Sequence, residues 1–295
     1  MDKKFLMIIN PVSGNIQDKT ETIAQIRQSL EEGGYKLRIW ETTGEKDLEK
    51  VKALIEEEPI EGVLVGGGDG TIKMVAEAIL EYDRRIGIIP LGSANGLATS
   101  LEISDVEGAI EAVIAGEEVE MDTLRINGEL SLHISDFGFN ASLIKRFEEG
   151  DERGMLAYTK STFTQLFDVK PYSFEIDIGG KTERVEAKML AIANGNKYGT
   201  GAVLNPVGKI RDGLFEIVAI NPEKVEDFVK VSVALFWGNV EELEIVRIWS
   251  TNKAVIRNLD GADFQIDGEL LGKVKEVTVE VDSSPIRFYK AKSRS

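Results

Sequence analysis

The residues best suited to chemistry form a glycine-rich turn between the apolar run 62–65 and the amphipathic run 71–80. Glycine has no Cβ atom, so its backbone can approach a phosphate, and a helix that follows offers unpaired N–H groups to an anion. Asp69 is unexpected beside a phosphate unless a cation or a hydrogen-bond donor separates the two. The turn predicts phosphate binding, with an ordinary tight turn as the alternative. Its members are Gly66, Gly67, Gly68, Asp69, Gly70 and Thr71.

The run 90–98 (PLGSANGLA) repeats this device after the next apolar run. Beside Gly92 it adds a hydroxyl at Ser93 and an amide at Asn95, which can bond a nucleotide or hold the first loop. Taken alone, such a run is more typical of a helix N-terminus. The run 10–14 (NPVSG) is also ambiguous alone, because Asn-Pro and Ser-Gly are common in turns.

The elements that position these turns follow a βαβα rhythm, which predicts a parallel sheet covered by helices. In such sheets ligands bind at the carboxyl ends of the strands. Asn10, Gly66 and Pro90 each follow a predicted strand, so three loops are expected at one edge. The predicted strands are Phe5–Ile9, Leu37–Trp40, Val63–Val65 and Ile86–Ile89, and the predicted helices are Thr20–Leu30, Leu48–Ile55 and Ile72–Leu80.

After one more helix pattern, Val106–Ala115, strand-like segments with turns replace the alternation. We therefore predict two domains, an α/β domain over residues 1–120 completed by the C-terminal tail, and a mostly antiparallel β domain over residues 121–295. Amphipathic helix patterns interrupt the second domain at 155–167 and after Pro222. The strand-like segments are 173–178, 184–193, 215–220, 255–257 and 277–281.

Composition excludes several function classes. The 295 residues include no cysteine and one histidine, His133, so disulfides, thiolate metal sites and His-clustered metal sites are ruled out. A formal net charge of −16 argues against nucleic-acid binding, which needs a basic face. The N-terminus is expected to be a strand rather than a signal. The uncharged run Val231–Val240 is half of the roughly 20 residues that a spanning helix needs, so no membrane span is expected. The absence of cysteine fits a reducing cytoplasm, which is the expected location.

Several motifs together resemble the diacylglycerol kinase catalytic family, which includes bacterial lipid kinases, sphingosine kinases and ceramide kinases. They are NPVSG, GGGDGT, PLGSANGLA, the later YGTG, NP and RDGLFEIV, and the terminal FQIDGE, in this order and spacing. NAD kinases and phosphofructokinases share a turn like GGGDGT but lack the late Asp-Gly-Glu. The resemblance implies a Rossmann-like nucleotide domain, a β-sandwich domain, and a cleft between them for MgATP and a lipid headgroup.

The resemblance also implies site residues. The general base would be Asp267 or Glu269, because phosphoryl transfer needs a carboxylate to accept the hydroxyl proton. Both could face one site if this segment is extended, since residues two apart on a strand share a face; a solvated acidic turn is the alternative. ATP would be bound by Thr42, Gly66 to Thr71, Gly92 and Ser93, with Asn10 and Asn95 supporting the loops.

Magnesium is the metal that the resemblance implies. Asp122 resembles the family's acidic residue that holds magnesium through water. Asp212, with the carbonyls of Lys209 and Leu214, resembles a structural magnesium site of oxygen ligands. Arg211 departs from the family pattern, and its charge could weaken or replace that ion.

Two further departures affect the expected substrate. The run 95–98 (NGLA) is closer to the sphingosine kinase pattern than to the glycerolipid one, and Asn140 stands where the family has an acid. We expect an ATP-dependent lipid kinase that visits the membrane surface and acts on diacylglycerol or a sphingoid base. The alternatives are an NAD-kinase-like enzyme and a catalytically silent nucleotide- or lipid-binding regulator. A homodimer stays an open alternative to a monomer.

Overall fold

A computed structural model describes residues 3–14, 19–92, 95–138, 170–195, 203–224, 226–227, 230–231, 233–234 and 239–291. The chain divides into two compact units. Unit 1 comprises Met1–Met121 and Ser284–Ser295, and unit 2 comprises Asp122–Ser283. The helix predicted at 155–167 and the departure at Asn140 lie outside the described residues.

The secondary structure alternates in the first third of the chain and is mainly strand afterwards. The strands are β1 (Lys3–Ile9), β2 (Tyr35–Glu41), β3 (Gly62–Gly67), β4 (Arg85–Pro90), β5 (Glu118–Met121), β6 (Leu124–Ile126), β7 (Glu129–Ser131), β8 (Ile134–Gly138), β9 (Tyr172–Ile178), β10 (Lys181–Ala187), β11 (Met189–Ala193), β12 (Phe215–Ile220), β13 (Val246–Thr251), β14 (Lys253–Asn258), β15 (Asp263–Ile266), β16 (Glu269–Lys273), β17 (Glu276–Val281) and β18 (Ile286–Tyr289). The helices are α1 (Thr20–Glu32), α2 (Asp47–Glu57), α3 (Asp69–Ile79), α4 (Gly96–Ser100) and α5 (Val106–Ala115), and a 3-10 helix spans Val240–Glu242.

Unit 1 is built on one sheet with the strand order β2-β1-β3-β4-β18-β5. Strands β1 to β4 run parallel, β18 joins parallel to β4, and β5 is antiparallel to β18. Ile9 pairs with both Glu41 and Gly66, and Gly66 pairs with Ile89, so these strands end together. The predicted parallel α/β fold is confirmed, and the loops after β1, β3 and β4 leave the same edge.

The strand β3 differs from its prediction in a way that matters for the glycine turn. Gly66 and Gly67 are buried and belong to the strand instead of following it. A Cβ atom on Gly66 would lie 3.1 Å from side-chain carbons of both Leu91 and Met7. A larger residue at position 66 would require these two side chains to shift by a few tenths of an ångström. The turn itself begins at Gly68.

The helix α3 follows the turn and packs on the sheet through one apolar stripe. Its buried residues include Ile72, Val75, Ala76 and Ile79, which recur at the spacing of one helix face. Gly68 is its N-cap residue and makes no side-chain cap. The N–H groups of Thr71 and Ile72 donate to the Gly68 carbonyl at 3.0 and 3.1 Å, and the N-cap residue has no side chain to compete for the N–H groups that precede them.

Unit 2 consists of two antiparallel six-stranded sheets with the orders β10-β9-β14-β17-β6-β7 and β13-β12-β11-β8-β15-β16. Alternate residues of both sheets point into one core, where Phe137, Phe174, Phe215 and Phe264 are fully buried. This confirms the β-sandwich that the family resemblance implied. The outer face of the second sheet carries a separate apolar cluster that includes Val218, Val231 and Val246.

Candidate functional site

A cavity of about 540 Å³ opens in unit 1 at the N-terminus of α3. Its walls come from the loop after β1, the loop after β2 and the first turn of α3. The walls combine apolar surface, which includes Pro11, Val12 and Met74, with a few hydroxyl and amide groups that can bind the oxygen atoms of a ligand. The lining residues are Asn10, Pro11, Val12, Ser13, Thr42, Thr43, Gly44, Asp47, Gly68, Gly70, Thr71 and Met74.

Asn10 ties the loop after β1 to β3 and α3. Its backbone N–H donates to the Gly66 carbonyl at 3.0 Å, and its side-chain amide donates to Thr71 Oγ1 at 3.3 Å. Its Oδ1 accepts the Val12 N–H at 3.1 Å, and its carbonyl accepts the Ser13 hydroxyl at 2.9 Å. Asn10 both lines the cavity and supports the loops around it.

The acidic side chain of Asp69 in the glycine-rich turn is explained by the hydrogen-bond donors next to it. Its carboxylate accepts the N–H of Gly96 at 3.2 Å and of Leu97 at 3.3 Å, at the N-terminus of α4. Asp69 is half-buried and does not line the cavity. It connects the turn after β3 to the loop after β4, so it is more than part of a surface turn.

The loop after β4 is held from within by Asn95. Its Oδ1 accepts the Gly92 N–H at 3.1 Å, and its amide donates to the Gly92 carbonyl at 3.0 Å. A Cβ atom on Gly92 would lie 2.5 Å from Gly68 Cα, and one on Gly14 would lie 2.2 Å from the Leu91 carbonyl oxygen. The three glycine-containing loops therefore pack backbone to backbone. Ser93 lies outside the described residues.

The third wall of the cavity depends on Asp47 at the start of α2. Its carboxylate accepts the N–H of Thr43 at 3.0 Å and of Gly44 at 2.8 Å, and the Thr43 hydroxyl at 2.8 Å. Burial raises the pKa of Asp47, but these hydrogen bonds and the charge of Lys50 outweigh it and bring the pKa below its ordinary value. Thr42 beside them continues the sheet by donating its N–H to the Ile9 carbonyl at 2.8 Å.

The ATP-binding residues predicted from sequence thus fall into two groups. Those lining the cavity are Asn10, Thr42, Gly68, Gly70 and Thr71. The others that the structure describes support the surrounding loops, namely Gly66, Gly67, Asp69, Gly92 and Asn95. Sequence reasoning did not select Thr43 or Asp47. The available signal was a hydroxyl residue and an acidic residue on either side of a glycine, just before a helix.

The Asp-Gly-Glu segment of unit 2 is a hairpin turn, so the condition that it be extended is not met. Asp267 has φ +49° and Gly268 φ +91°, and Ile266 pairs with Glu269 across the turn. These angles are those of a type I′ turn, for which Asp-Gly is a preferred sequence. The two carboxylates therefore do not share a face through strand alternation. The Asp-Gly pair was the sequence signal for this turn that the sequence analysis overlooked.

Asp267 is tightly held by a segment far away in the chain. Its carboxylate accepts the N–H of Leu132 at 2.8 Å, the N–H of His133 at 2.9 Å and the Ser131 hydroxyl at 3.2 Å. Its own N–H donates to the Ile134 carbonyl at 3.2 Å. Glu269 is exposed. Asp267 is thus held in a defined position, and the two candidate bases differ in their exposure.

Asp122 is a buried acceptor for the Arg211-Asp212-Gly213 loop of the same unit. One carboxylate oxygen accepts the N–H of Asp212 at 3.0 Å and of Gly213 at 2.7 Å. The other lies 3.9 Å from the Arg211 guanidinium. Asp122 therefore has a clear structural role in this loop, and its role at a magnesium ion stays a prediction.

The predicted structural metal set is found in the same loop. Asp212 is exposed, and its Oδ1 accepts the Leu214 N–H at 3.1 Å. Lys209 is exposed as well. Throughout the part of the chain that the structure describes, no three acidic or histidine side chains gather closely enough to hold a metal ion. The magnesium site of Lys209, Asp212 and Leu214 stays a prediction.

Two family models match adjacent parts of the chain. The model of the diacylglycerol kinase catalytic domain matches residues 4–126, and the model of the YegS C-terminal NAD kinase beta sandwich-like domain matches residues 135–288. The chain belongs to the diacylglycerol kinase catalytic family. It is a kinase of this family, as the motifs predicted, and its second domain is of the YegS type.

Individual relatives agree with this membership. The chain is 25% identical to a diacylglycerol kinase of Bacillus subtilis (strain 168), a match covering 92% of this chain and 91% of that protein. It is 26% identical to a diacylglycerol kinase of Staphylococcus aureus (strain MRSA252), covering 93% and 88%.

Solved structures share the fold. A putative diacylglycerol kinase from Bacillus anthracis str. Sterne superposes with a TM-score of 0.78 at 18% identity, covering 98% of this chain and 97% of that one. An NAD kinase from Archaeoglobus fulgidus, solved in complex with ATP, gives a TM-score of 0.54 at 15% identity, covering 98% and 94%. In the described part of this chain, no helix has the length and apolar character needed to cross a bilayer.

Proposed function

We propose that this family kinase transfers the γ-phosphoryl group of ATP to the hydroxyl of a membrane lipid, such as diacylglycerol or a sphingoid base. The observation that carries the proposal is the cavity at the N-terminus of α3. Its volume falls within the roughly 300–1,000 Å³ that small-molecule sites usually have. Its walls include the hydroxyl groups of Ser13, Thr42 and Thr71, which can donate to the oxygen atoms of a triphosphate.

ATP is proposed to bind with its phosphates at the start of α3. The N–H groups of the first helical turn and the positive end of the helix dipole favour an anion there. Gly68 and Gly70 keep the backbone accessible, and Thr71 adds a hydroxyl that Asn10 orients. Thr42 lines the same cavity from the loop after β2. Ser93 belongs to the proposed contact set through the family motif.

The proposed reaction is an in-line transfer. The lipid hydroxyl oxygen forms a bond to Pγ while the bond from Pγ to the β,γ-bridging oxygen breaks, and ADP leaves. The hydroxyl proton passes to a carboxylate, for which Asp267 and Glu269 are the candidates. We favour Asp267, because three donors fix its position and preorganised groups catalyse more efficiently.

Magnesium is proposed to enter with the nucleotide. Protein-bound Mg²⁺ commonly takes most of its ligands from substrate phosphates and water, and only one or two from carboxylates. The described residues fit this mode, since their acidic side chains are dispersed and do not form a cage. Asp122 would act through water from its oxygen near Arg211. When bound, the ion supplies charge neutralisation for the phosphates.

The membrane is the proposed place of reaction, because the acceptor hydroxyl of such a lipid lies at its surface. The relatives named diacylglycerol kinase favour a glycerolipid, whereas the residues 95–98 favour a sphingoid base. Contact with the bilayer is therefore proposed to be peripheral and transient, from the cytoplasm.

A single assay tests the function and its rivals. The purified protein is incubated with γ-labelled ATP, magnesium and, in separate reactions, diacylglycerol, a sphingoid base, ceramide and NAD, the lipids being presented in mixed micelles. Label is expected in diacylglycerol or in the sphingoid base, and the double variant Asp267→Asn/Glu269→Gln serves as the inactive control. Label in NAD alone would favour an NAD-kinase-like enzyme. ATP binding without transfer to any acceptor would favour a silent regulator.

A further inference from the structure

Lys19, directly before α1, carries an ammonium group inside unit 1. Its side chain is only 6% exposed. The Nζ atom donates to the Asn10 carbonyl at 2.7 Å, the Ser13 carbonyl at 2.8 Å and the Ser13 hydroxyl at 3.0 Å. The Pro11 carbonyl lies at 3.5 Å as a fourth acceptor, so the three N–H bonds of the ammonium are fully matched. Asn10 and Ser13 both line the cavity.

The lining of the cavity makes this buried cation important. Among the described residues that form the walls, none carries a positive charge, and Asp47 carries a negative one. A triphosphate would therefore meet no lysine or arginine among those wall residues. Lys19 places a positive charge directly behind the wall formed by the loop after β1.

The hydrogen bonds of Lys19 also decide where two backbone dipoles point. The carbonyl oxygens of Asn10 and Ser13 are turned toward the ammonium. If the ammonium were absent, the Ser13 carbonyl would lose this donor and the Asn10 carbonyl would keep only the N–H and hydroxyl of Ser13. Both oxygens would then be held less firmly, and an oxygen turned toward the cavity would repel phosphate oxygens. Holding the Asn10 carbonyl also fixes the residue whose side-chain amide reaches Thr71 at 3.3 Å.

We propose that Lys19 is a positioning residue for the nucleotide phosphates, acting through Asn10 and Ser13 and through its charge without touching the ligand. The inference rests on the proposed function of the cavity as an ATP site. Burial lowers the pKa of Lys19 below its ordinary value, with partial opposition from Glu41, as expected for an ammonium that is enclosed by protein.

The test compares ligands that differ only in their number of phosphates. Binding of adenosine, AMP, ADP and ATP is measured by calorimetry for the wild type, Lys19→Met, Lys19→Arg and the control Lys52→Met. Lys52 is a surface lysine of α2 whose ammonium lies 4.0 Å from Glu81. Lys19→Met should bind ATP at least about tenfold more weakly, a loss typical of hydrogen bonds to a charged group. The loss should shrink with each phosphate removed and vanish for adenosine.

Kinetics supply a second readout. With the lipid acceptor in excess, Lys19→Met should raise KM for ATP about as much as it weakens binding, while kcat changes little. Lys19→Arg keeps the charge and should recover part of the loss, again graded by phosphate number. Lys52→Met should match the wild type.

The outcomes separate the inference from the function on which it rests. Equal weakening of ATP and adenosine in either Lys19 variant would mean that the lysine merely supports the fold, and the inference would be overturned. Unchanged ATP binding in Lys19→Met would overturn it as well. If Lys19→Met fails to fold, Lys19→Arg tests the inference: its loss of affinity must increase with the number of phosphates, and a loss equal for ATP and adenosine would overturn it. A wild-type protein that binds no ATP would instead contradict the proposed function.

Discussion

The glycine-rich loops of unit 1 and the hairpin turn of unit 2 each contain an aspartate that accepts two successive backbone N–H groups from a distant segment. Asp69 accepts those of Gly96 and Leu97 at 3.2 and 3.3 Å. Asp267 accepts those of Leu132 and His133 at 2.8 and 2.9 Å. The same chemistry has different consequences in the two places.

The difference lies in which segment each aspartate fixes. Asp69 lies in the first turn of α3 and fixes the start of α4, so its carboxylate joins two loops at the edge of a sheet. Asp267 is itself in the left-handed region, with φ +49°, and its contacts fix the turn that carries it. Under the proposed function, Asp69 would serve the ligand site indirectly, by holding α4, and Asp267 would serve it directly, as a base held in place by its donors. Variants that preserve or remove these acceptors separate the two cases.

The largest effect is expected at the hairpin turn. Asp267→Asn removes the charge and leaves one amide oxygen for three donors, so kcat should fall by roughly 10² to 10⁴, the usual contribution of a general base. The free energy of unfolding should fall too, because a donor of Leu132 or His133 loses its acceptor. Glu269→Gln should cost less in kcat and leave stability unchanged, since Glu269 is exposed.

Lipid phosphorylation at saturating ATP and thermal unfolding measure these two quantities side by side. A larger loss of kcat in Glu269→Gln than in Asp267→Asn would assign the base to Glu269 and leave Asp267 a purely structural residue. If neither change alters turnover, the base lies elsewhere.

A smaller effect, on nucleotide affinity, is expected at Asp69. Asp69→Ala leaves the N–H groups of Gly96 and Leu97 without their acceptor, which should cost about 1 kcal/mol of stability, as for a lost helix cap. KM for ATP should rise roughly tenfold or more as the loop after β4 loosens, by analogy with other losses of charge-assisted hydrogen bonds. Stability therefore changes as well as activity.

Asp105 provides the matched control for this prediction. It caps α5 in the same unit by accepting the Gly108 N–H at 2.8 Å, and it does not line the cavity. Asp105→Ala should lower thermal stability by a similar amount and leave KM for ATP unchanged. Equal kinetic effects from both variants would show that loss of stability alone, and not the position of Asp69, explains the loss of affinity.

The same comparison explains what the sequence could predict. The parallel strands and helices were predictable because their apolar periodicity is local, and glycine turns at strand ends indicated the edge where a ligand binds. The acceptor role of Asp69 could not be predicted from the sequence. Its donors lie 27 and 28 residues away, and they are backbone N–H groups, which every residue except proline carries. The same is true of Asp122, which accepts the N–H groups of the distant residues Asp212 and Gly213.

The prediction for the segment at Asp267, that it could be extended, was wrong for a different reason. Its Asp-Gly sequence carries a local turn signal, but the carboxylates were interpreted through strand alternation. Lys19 was missed because a lysine before an amphipathic run is ordinarily solvated, and only the folded loop encloses its ammonium. Sequence thus predicted the elements and the site edge, while contacts between distant backbone groups required the structure.

Glu216 is a third kind of carboxyl and should give the smallest effect. It is 3% exposed on β12, and its side-chain partners are Asn205 and Ser250 rather than a pair of backbone N–H groups. Burial raises its pKa above the ordinary value, the two side-chain hydrogen bonds oppose this, and the charge of Asp212 adds to it. Glu183, exposed on β10, has its pKa lowered by hydrogen bonds from Arg247 and Trp249.

A pKa that is raised in the folded state means that the carboxyl contributes stability below its unfolded pKa and loses that contribution as pH rises through the folded value. As pH rises above the unfolded pKa of about 4.3, Glu216 therefore stabilises the folded protein progressively less, and the unfolding temperature of Glu216→Gln should rise relative to that of the wild type. Glu183→Gln should do the opposite as pH rises, because a lowered pKa stabilises the folded protein above the unfolded value. Thermal unfolding across pH 4 to 8 measures both. A Glu216→Gln variant whose unfolding temperature falls relative to that of the wild type as pH rises would mean that the hydrogen bonds from Asn205 and Ser250 outweigh the cost of burial, and that Glu216 resembles Asp69 and Asp267 after all.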